Sequence, residues 1–153
     1  MSHWNETYRV PATIILSEGT SVEGDIHLQP LTLLHQGRET PIDLLNREER
    51  FLAVSLPSGG ATLVCKAQIA VLTADAALSE MDQERLAISR KFFLDIEMIG
   101  GQRLSGSAYW ELPPTHPRPQ DFLNASESFF EITDGGGTHC INRAFVAQVH
   151  PGE

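Results

Sequence analysis

Six polar residues recur at matching places in the two halves of this sequence and could contact a ligand or a partner. They are an aspartate, an asparagine and a basic residue in each half: Asp43, Asn46, Lys66, Asp121, Asn124 and Arg143. Together, a carboxylate, an amide and a cation can bind a polar or anionic group through hydrogen bonds. The alternative is structural, because an aspartate can cap a helical turn and a charge can blunt a strand edge. The sequence leaves both interpretations open, and the structural one is the simpler.

The sequence contains no constellation that is typical of catalysis or metal binding. Its six histidines do not have the spacing of zinc sites. His139 and Cys140 are adjacent, so on a strand their side chains would point to opposite faces. No nucleophile elbow, Walker loop or H-E-x-x-H motif is present, and the glycine run 135–137 lacks the following helix that a phosphate site needs. We therefore predict no catalytic residues, no cofactor and no bound metal.

Composition and charge argue against nucleic-acid and membrane binding. The 153-residue chain has an ordinary balance of 41% hydrophobic and 20% charged residues. Residues 1–78 carry five Lys/Arg against nine Asp/Glu, and residues 79–153 carry six against eleven, so neither half is basic. Because phosphates and anionic lipids attract basic surfaces, we expect neither a nucleic-acid nor a membrane partner. With no long apolar run, no signal-peptide pattern and only two cysteines, the chain is predicted to be cytoplasmic.

An internal duplication is the strongest feature of the sequence. The two halves align with shifts that change only at loops: 82 residues from Gly19 to Gly101, 78 from Asp43 to Asp121 and 77 from Ile69 to Val146. Apolar residues alternate with a period of two in the aligned segments, which is typical of strands. The alternation also predicts the core residues, which are Ile14, Ile26, Val54 and Ile69 in the first half and Ile96, Ala108, Ile132 and Val146 in the second.

These patterns predict an all-β protein made of two tandem five-stranded barrels. The first barrel is predicted at residues 8–74 and the second at 91–151, with a partly helical linker at 75–90 between them. Gly24 and Gly106 stand where closing a sheet into a barrel requires a sharply bent strand. A short helical turn is expected at Asp43 and at Asp121, with the aspartate as its cap.

The spacing of glycines and apolar residues resembles that of Sm-like proteins, which are small SH3-like barrels. An apolar strand, a turn glycine and a second glycine occur at residues 15–24 and 97–106. A second motif, with apolar residues at i, i+5 and i+8 and a basic residue at i+2, occurs at residues 64–72 and 141–149. The resemblance implies the barrel fold, and it implies that the fourth strand of one barrel can pair with the fifth strand of another. The chain also resembles a group of bacterial proteins of unknown function that share its D-x-L-N pattern.

The resemblance to Sm-like proteins does not extend to their RNA contacts. The aspartate and asparagine near the RNA base are four residues apart in that family, whereas Asp43 and Asn46 are three apart. Ala67 and Ala144 stand where the bacterial RNA-chaperone branch has a histidine. The expected function is therefore that of a non-catalytic adaptor or assembly subunit acting through protein–protein contacts. The alternative is an RNA- or nucleotide-binding regulator that uses Lys66 and Arg143.

Two further features of the sequence bear on the nucleic-acid alternative and on possible protein partners. A surface on which Lys66 and Arg143 join other arginines into a basic patch would favour nucleic-acid binding. The proline-rich loop 111–120 contains a P-x-x-P core beside Arg118, which could dock a proline-reading partner or simply stiffen the loop.

The two halves have diverged at several aligned positions, where for example Leu28 of the first half corresponds to Trp110 of the second. This divergence favours a monomer or small homo-oligomer whose halves pack through an apolar seam.

Overall fold

The computed structural model describes residues 7–30, 38–75, 89–111, 113–135 and 137–152. The described chain is mostly strand, with two short helices and two single 3₁₀ turns, so the predicted all-β class is confirmed. The partly helical linker predicted at 75–90 lies outside the described residues except at its ends, where Arg90 already begins a strand. The proline-rich loop leads into the second helix.

The two halves contain the same elements in the same order, as the duplication predicts. The first half comprises β1 (Tyr8–Leu16), β2 (Ser21–Leu28), α1 (Pro41–Asn46), β3 (Phe51–Ser55), β4 (Ala61–Cys65) and β5 (Ile69–Ala74). The second half comprises β6 (Arg90–Met98), β7 (Arg103–Trp110), α2 (Pro119–Ala125), β8 (Phe129–Asp134), β9 (Gly137–Asn142) and β10 (Val146–Pro151). A 3₁₀ turn precedes the last strand of each half, at Lys66–Gln68 and Arg143–Phe145.

All described strands belong to one antiparallel sheet with the order β10-β6-β7-β8-β9-β5-β1-β2-β3-β4. Within each half the fifth strand pairs with the first, and the order then runs through the second and third strands to the fourth. The predicted closure into two barrels is not confirmed, because the sheet is continuous and β4 and β5 are not hydrogen-bonded to each other in the described ranges. The outer edge of β5 pairs with β9 of the other half instead.

The core follows the alternation seen in the sequence. Seven of the eight predicted core residues are buried. The exception is Val146, which is half-buried because it lies on β10, an end strand of the sheet. Two apolar clusters form, one for each half, and they share residues across the junction. The cluster of the first half includes Phe129 and Cys140, and that of the second half includes Ala70 and Val71.

One glycine in each half allows two neighbouring strands to approach closely. A Cβ atom at Gly24 would lie 2.4 Å from the carbonyl oxygen of Ser55, and one at Gly106 would lie 2.6 Å from that of Thr133. Both distances are far shorter than a carbon–oxygen contact allows. Strands β2 and β3, and likewise β7 and β8, can therefore lie this close only because glycine has no side chain. The importance that the sequence assigns to these two glycines therefore has a direct steric cause.

Candidate functional site

The matched aspartates stabilise the first turn of each helix. Asp43 Oδ2 accepts a hydrogen bond from the backbone N–H of Thr40 at 2.9 Å, and Asp121 Oδ2 accepts one from the N–H of Arg118 at 3.1 Å. Both helices begin at a proline, which is favoured at the first helical position because it has no N–H to satisfy. Each aspartate therefore lies at the third helical position and reaches back to the residue before the helix. The sequence predicted a helical turn at each aspartate, but the helix starts two residues earlier, so the N-cap residues are Thr40 and Arg118 rather than the aspartates.

Asp121 has a second partner, the side chain of Arg118. The Arg118 guanidinium donates from Nε to Asp121 Oδ2 and from Nη2 to Oδ1, both at 3.0 Å. These side-chain hydrogen bonds from Arg118 lower the pKa of the Asp121 carboxyl. Arg118, the basic residue beside the P-x-x-P core, is thus engaged within its own loop.

The matched cations bind the carbonyl groups that the helices leave at their carboxyl ends. Lys66 Nζ donates to the carbonyl oxygen of Leu44 at 2.6 Å, and Arg143 Nη1 donates to that of Ser126 at 2.5 Å. Positive charge is favourable at this end of a helix. Lys66 is buried, with 6% of its surface exposed, whereas Arg143 is exposed. Burial lowers the pKa of the Lys66 ammonium, and the nearby Glu49 carboxylate opposes that shift.

A buried glutamate, Glu39, interacts electrostatically with Lys66. Glu39 is 2% exposed, its Oε1 accepts a hydrogen bond from the backbone N–H of Gln29 at 3.0 Å, and its Oε2 lies 3.2 Å from Arg47 Nε. A buried carboxylate requires such compensation. The second half has Pro117 at the position matching Glu39, so a comparison of the halves gave no signal for this residue.

The contacts of the two cations predict different costs for their removal. Lys66→Ala is expected to lower the free energy of unfolding by about 2 kcal/mol, because it leaves a buried carbonyl and the Glu39 carboxylate less well compensated. Arg143→Ala, at the matched exposed position, is expected to cost less than about 1 kcal/mol. Urea denaturation followed by circular dichroism measures both values. Equal losses would contradict the buried structural role of Lys66.

The matched asparagines differ most between the halves. Asn46 Nδ2 donates to the carbonyl oxygen of Phe129 at 3.1 Å, and the Phe129 N–H donates to Asn46 Oδ1 at 3.0 Å. The Asn46 side chain thus binds the backbone at the start of β8 as a neighbouring strand would. Asn124 is exposed, and its side chain makes no hydrogen bond with any residue that the structure describes.

Strands β5 and β9 join the halves along a ladder that we call the seam. Its cross-strand pairs are Val71–Ile141, Leu72–Cys140, Thr73–His139 and Ala74–Thr138. Cys140 lies in the apolar core, and burial raises the pKa of its thiol. On the other face a hydrogen bond of 2.9 Å joins Thr73 Oγ1 to His139 Nδ1. His139 and Cys140 therefore point to opposite faces, and the predicted apolar seam is confirmed.

A second asparagine crosses the seam in the opposite direction. Asn142 is buried, and its Nδ2 donates to the carbonyl oxygen of Ile69 at 2.9 Å. Its Oδ1 accepts from the N–H of Ala144 at 3.0 Å. The matched position in the first half is Cys65, which is why identity between the halves did not identify Asn142.

Strands β4 and β10 are the two ends of the sheet in the described part of the chain. Four large apolar residues are exposed there and nearby: Phe51, Leu63, Phe93 and Ile99. Leu63 lies on β4 itself and is 70% exposed, and Phe51 lies on the adjacent β3 and is 56% exposed. Strand registers match Leu63 to Cys140 and Phe51 to Phe129, both of which the seam buries. The first half thus leaves exposed a surface whose equivalent in the second half is covered by the first half.

The six sequence-predicted residues do not converge on one ligand site. Asp43, Asp121, Lys66 and Arg143 hold the helix ends, Asn46 holds the seam, and Asn124 faces solvent. No three His, Cys, Asp or Glu side chains in the described ranges are grouped closely enough to hold a metal ion. Of the helices that the structure describes, none is long and apolar enough to cross a membrane.

The chain matches no protein-family model, no curated protein and no solved structure.

Proposed function

We propose that this chain is a non-catalytic adaptor or assembly subunit that acts through protein–protein contacts at the end strands of its sheet. The observation that carries the proposal is the exposure of Leu63 on β4, an end strand of the sheet in the described part of the chain, and of Phe51 on the adjacent β3. Their counterparts in the second half are buried where the two halves meet. A strand edge offers backbone hydrogen bonds, and exposed apolar side chains add favourable burial when a partner covers them.

The order of strands within each half supports the finer part of the proposal, two tandem Sm-like units. In each half the fifth strand leads the order and the fourth ends it. A glycine also permits the close approach of the second and third strands in both halves. The edges that such units leave open are well suited to assembly, because each has a complementary edge on a similar unit.

Nucleic-acid binding through Lys66 and Arg143 has less support. The Lys66 ammonium is buried and donates to backbone carbonyls, so it is not available to a phosphate. Arg143 donates to Ser126 at the end of α2. Arg47 lies beside Glu39 and Glu49, and the whole chain carries a net charge of −9. Phosphate binding depends on accessible positive charge, which this surface offers sparsely.

A photoreactive side chain placed on the edge tests the proposal. With it at position 63 in the full-length chain, irradiation of host lysate is expected to attach proteins, and the adducts should resist nuclease. The same group at Thr20, an exposed residue in the turn between β1 and β2, serves as the control and should give few adducts. Nuclease-sensitive adducts at position 63 would favour the RNA-binding alternative. Equal labelling at both positions would contradict a specific edge contact.

A further inference from the structure

We propose that the second half binds a short acidic segment of a partner protein at a cluster of aromatic residues, with a large apolar side chain of that segment lying on the rings. The cluster forms where α2 packs on β6, β7 and β8, and its members are Phe92, Trp110, Phe122 and Phe130. These strands do not include β4, on which Leu63 is exposed. The aromatic cluster is therefore a second binding surface, and the inference goes beyond the proposed edge contact rather than resting on it.

The residues at the same four positions of the first half are aliphatic and almost completely covered. They are Val10, Leu28, Leu44 and Leu52, and none is more than 6% exposed. In the second half two members of the aromatic cluster are buried, whereas Trp110 and Phe122 are only half-buried. The Phe122 ring contacts the other three rings at centroid distances between 5.8 and 6.3 Å. The second half thus places larger side chains at these positions with less cover, which is typical of aromatic residues that bind a partner.

A glutamate of the first half lies at the place where the proposed segment would bind in the second. The backbone N–H of Glu39 donates to the carbonyl oxygen of Gln29 at 2.9 Å, and the Gln29 N–H donates to Glu39 Oε1 at 3.0 Å. Gln29 directly follows Leu28, which is fully buried. The Tyr8 hydroxyl donates to the carbonyl oxygen of Glu39. The first half therefore shows how a carboxylate and its backbone bind at this end of the strands.

The loop of the second half cannot make the same contacts. Pro117 stands at the position of Glu39, and proline has neither the N–H nor the carboxylate. His116 before it has a positive φ of 56°, so the backbone takes a left-handed turn at this point. Arg90 stands at the position of Tyr8, and a guanidinium is suited to bind a carboxylate. The second half thus keeps the receiving surface, and a partner supplies the acidic group.

Arg90 gives the aromatic cluster an accessible positive charge. It is exposed, its guanidinium lies 5.6 Å from the centroid of the Phe92 ring, and it pairs across the strands with Trp110. Arg90 forms no ion pair with any residue that the structure describes. A guanidinium stacked on a ring still offers its N–H groups to a carboxylate. Glu111 adjoins Trp110, so a segment with a single carboxylate suits the site better than a polyanion such as a nucleic acid.

Selection of random peptides displayed on phage, with the immobilised full-length chain as the target, tests the site. The enriched sequences are expected to place an aspartate or glutamate beside an aromatic or large aliphatic residue. A synthetic peptide of such a sequence should bind Arg90→Glu at least about tenfold more weakly than the unmodified chain. Lys91→Glu makes the same charge change at the next residue of β6, which points to the opposite face, and should bind the peptide normally. Both side chains are exposed, so both variants should fold. No enriched sequence of this kind, or equal losses for the two variants, would overturn the proposal.

The fluorescence of Trp110 tests whether the peptide covers the aromatic cluster. The chain has two tryptophans, so Trp4→Phe leaves Trp110 as the sole tryptophan. Saturating peptide is expected to shift the emission to shorter wavelengths, because the half-buried indole is then removed from water. Trp110→Leu introduces the residue of the first half and should weaken peptide binding by at least about tenfold. An unshifted emission, or unchanged peptide binding by Trp110→Leu, would contradict the proposal. Photolabelling at position 63 tests the edge contact separately, so failure of one proposal is distinguishable from failure of the other.

Discussion

Replacing Phe129 with alanine is expected to lower the free energy of unfolding by about 3 kcal/mol, whereas the same change at the matched Phe51 should cost less than about 0.5 kcal/mol. Phe129 is 4% exposed and packs in the apolar cluster of the other half, so its loss leaves a cavity between the halves. Phe51 is 56% exposed and loses little burial. Urea denaturation at low protein concentration measures both values without a contribution from association.

This pair of variants separates two views of the seam. If the halves were stable units that merely touched, Phe129→Ala would cost little more than Phe51→Ala. The shared clusters and the bond pair between Asn46 and Phe129 argue instead that the halves unfold together. Similar stability losses for the two variants would contradict the difference in burial on which this argument rests.

Replacing Gly24 with alanine should also be strongly destabilising, with a loss of about 3 kcal/mol. The added Cβ would lie 2.4 Å from the Ser55 carbonyl oxygen and 2.7 Å from the Val54 side chain. Relief requires β2 to move away from β3, which would break the short pairing of Asp25 with Ser55 and of Ile26 with Val54. The reduced freedom of alanine in the unfolded chain offsets only about 0.5–1 kcal/mol of that loss.

Gly135→Ala provides the matched control for this substitution. A Cβ atom there meets nothing within 4 Å, so the change should alter stability by less than about 0.5 kcal/mol. Thermal and urea unfolding of Gly24→Ala, Gly106→Ala and Gly135→Ala can be compared directly. Gly106→Ala should behave like Gly24→Ala, because its Cβ would meet the Thr133 carbonyl oxygen at 2.6 Å. A neutral result for both strand glycines would remove the steric reason for their recurrence in the two halves.

Much of the local structure was predictable from residue types and spacing. Alternating apolar residues indicated the strands and almost all of the core, since a strand places every second side chain on the same face. The duplication predicted that the halves share one order of elements, and the recurrence of Gly24 and Gly106 indicated a constraint on the backbone. The short helices were predictable at Asp43 and Asp121, but a proline two residues earlier starts each one, so each aspartate is the third helical residue rather than the cap.

The site was less predictable, because the matched residues have the same type but different surroundings. Asn46 and Asn124 are both asparagines at equivalent positions, yet one binds the backbone of the other half and one faces solvent. For Lys66 and Arg143 the sequence left open a strand-edge charge and a ligand contact, and the structure shows that both residues hold the ends of helices. Glu39 and Asn142 lacked counterparts in the other half, so the comparison that identified the other polar residues could not find them.

The sequence by itself determined the all-β class, the duplication, the strand positions and the places where only glycine fits, because these depend on periodicity and on local sterics. Tertiary structure alone decided that β5 pairs with β9 rather than closing its own half. Which strand edge finds which partner depends on surfaces that are distant in the chain, and local propensities do not encode that choice. The same phenylalanine is therefore buried at position 129 and exposed at position 51, since the seam brings a partner surface to the first and leaves the second at the end of the sheet.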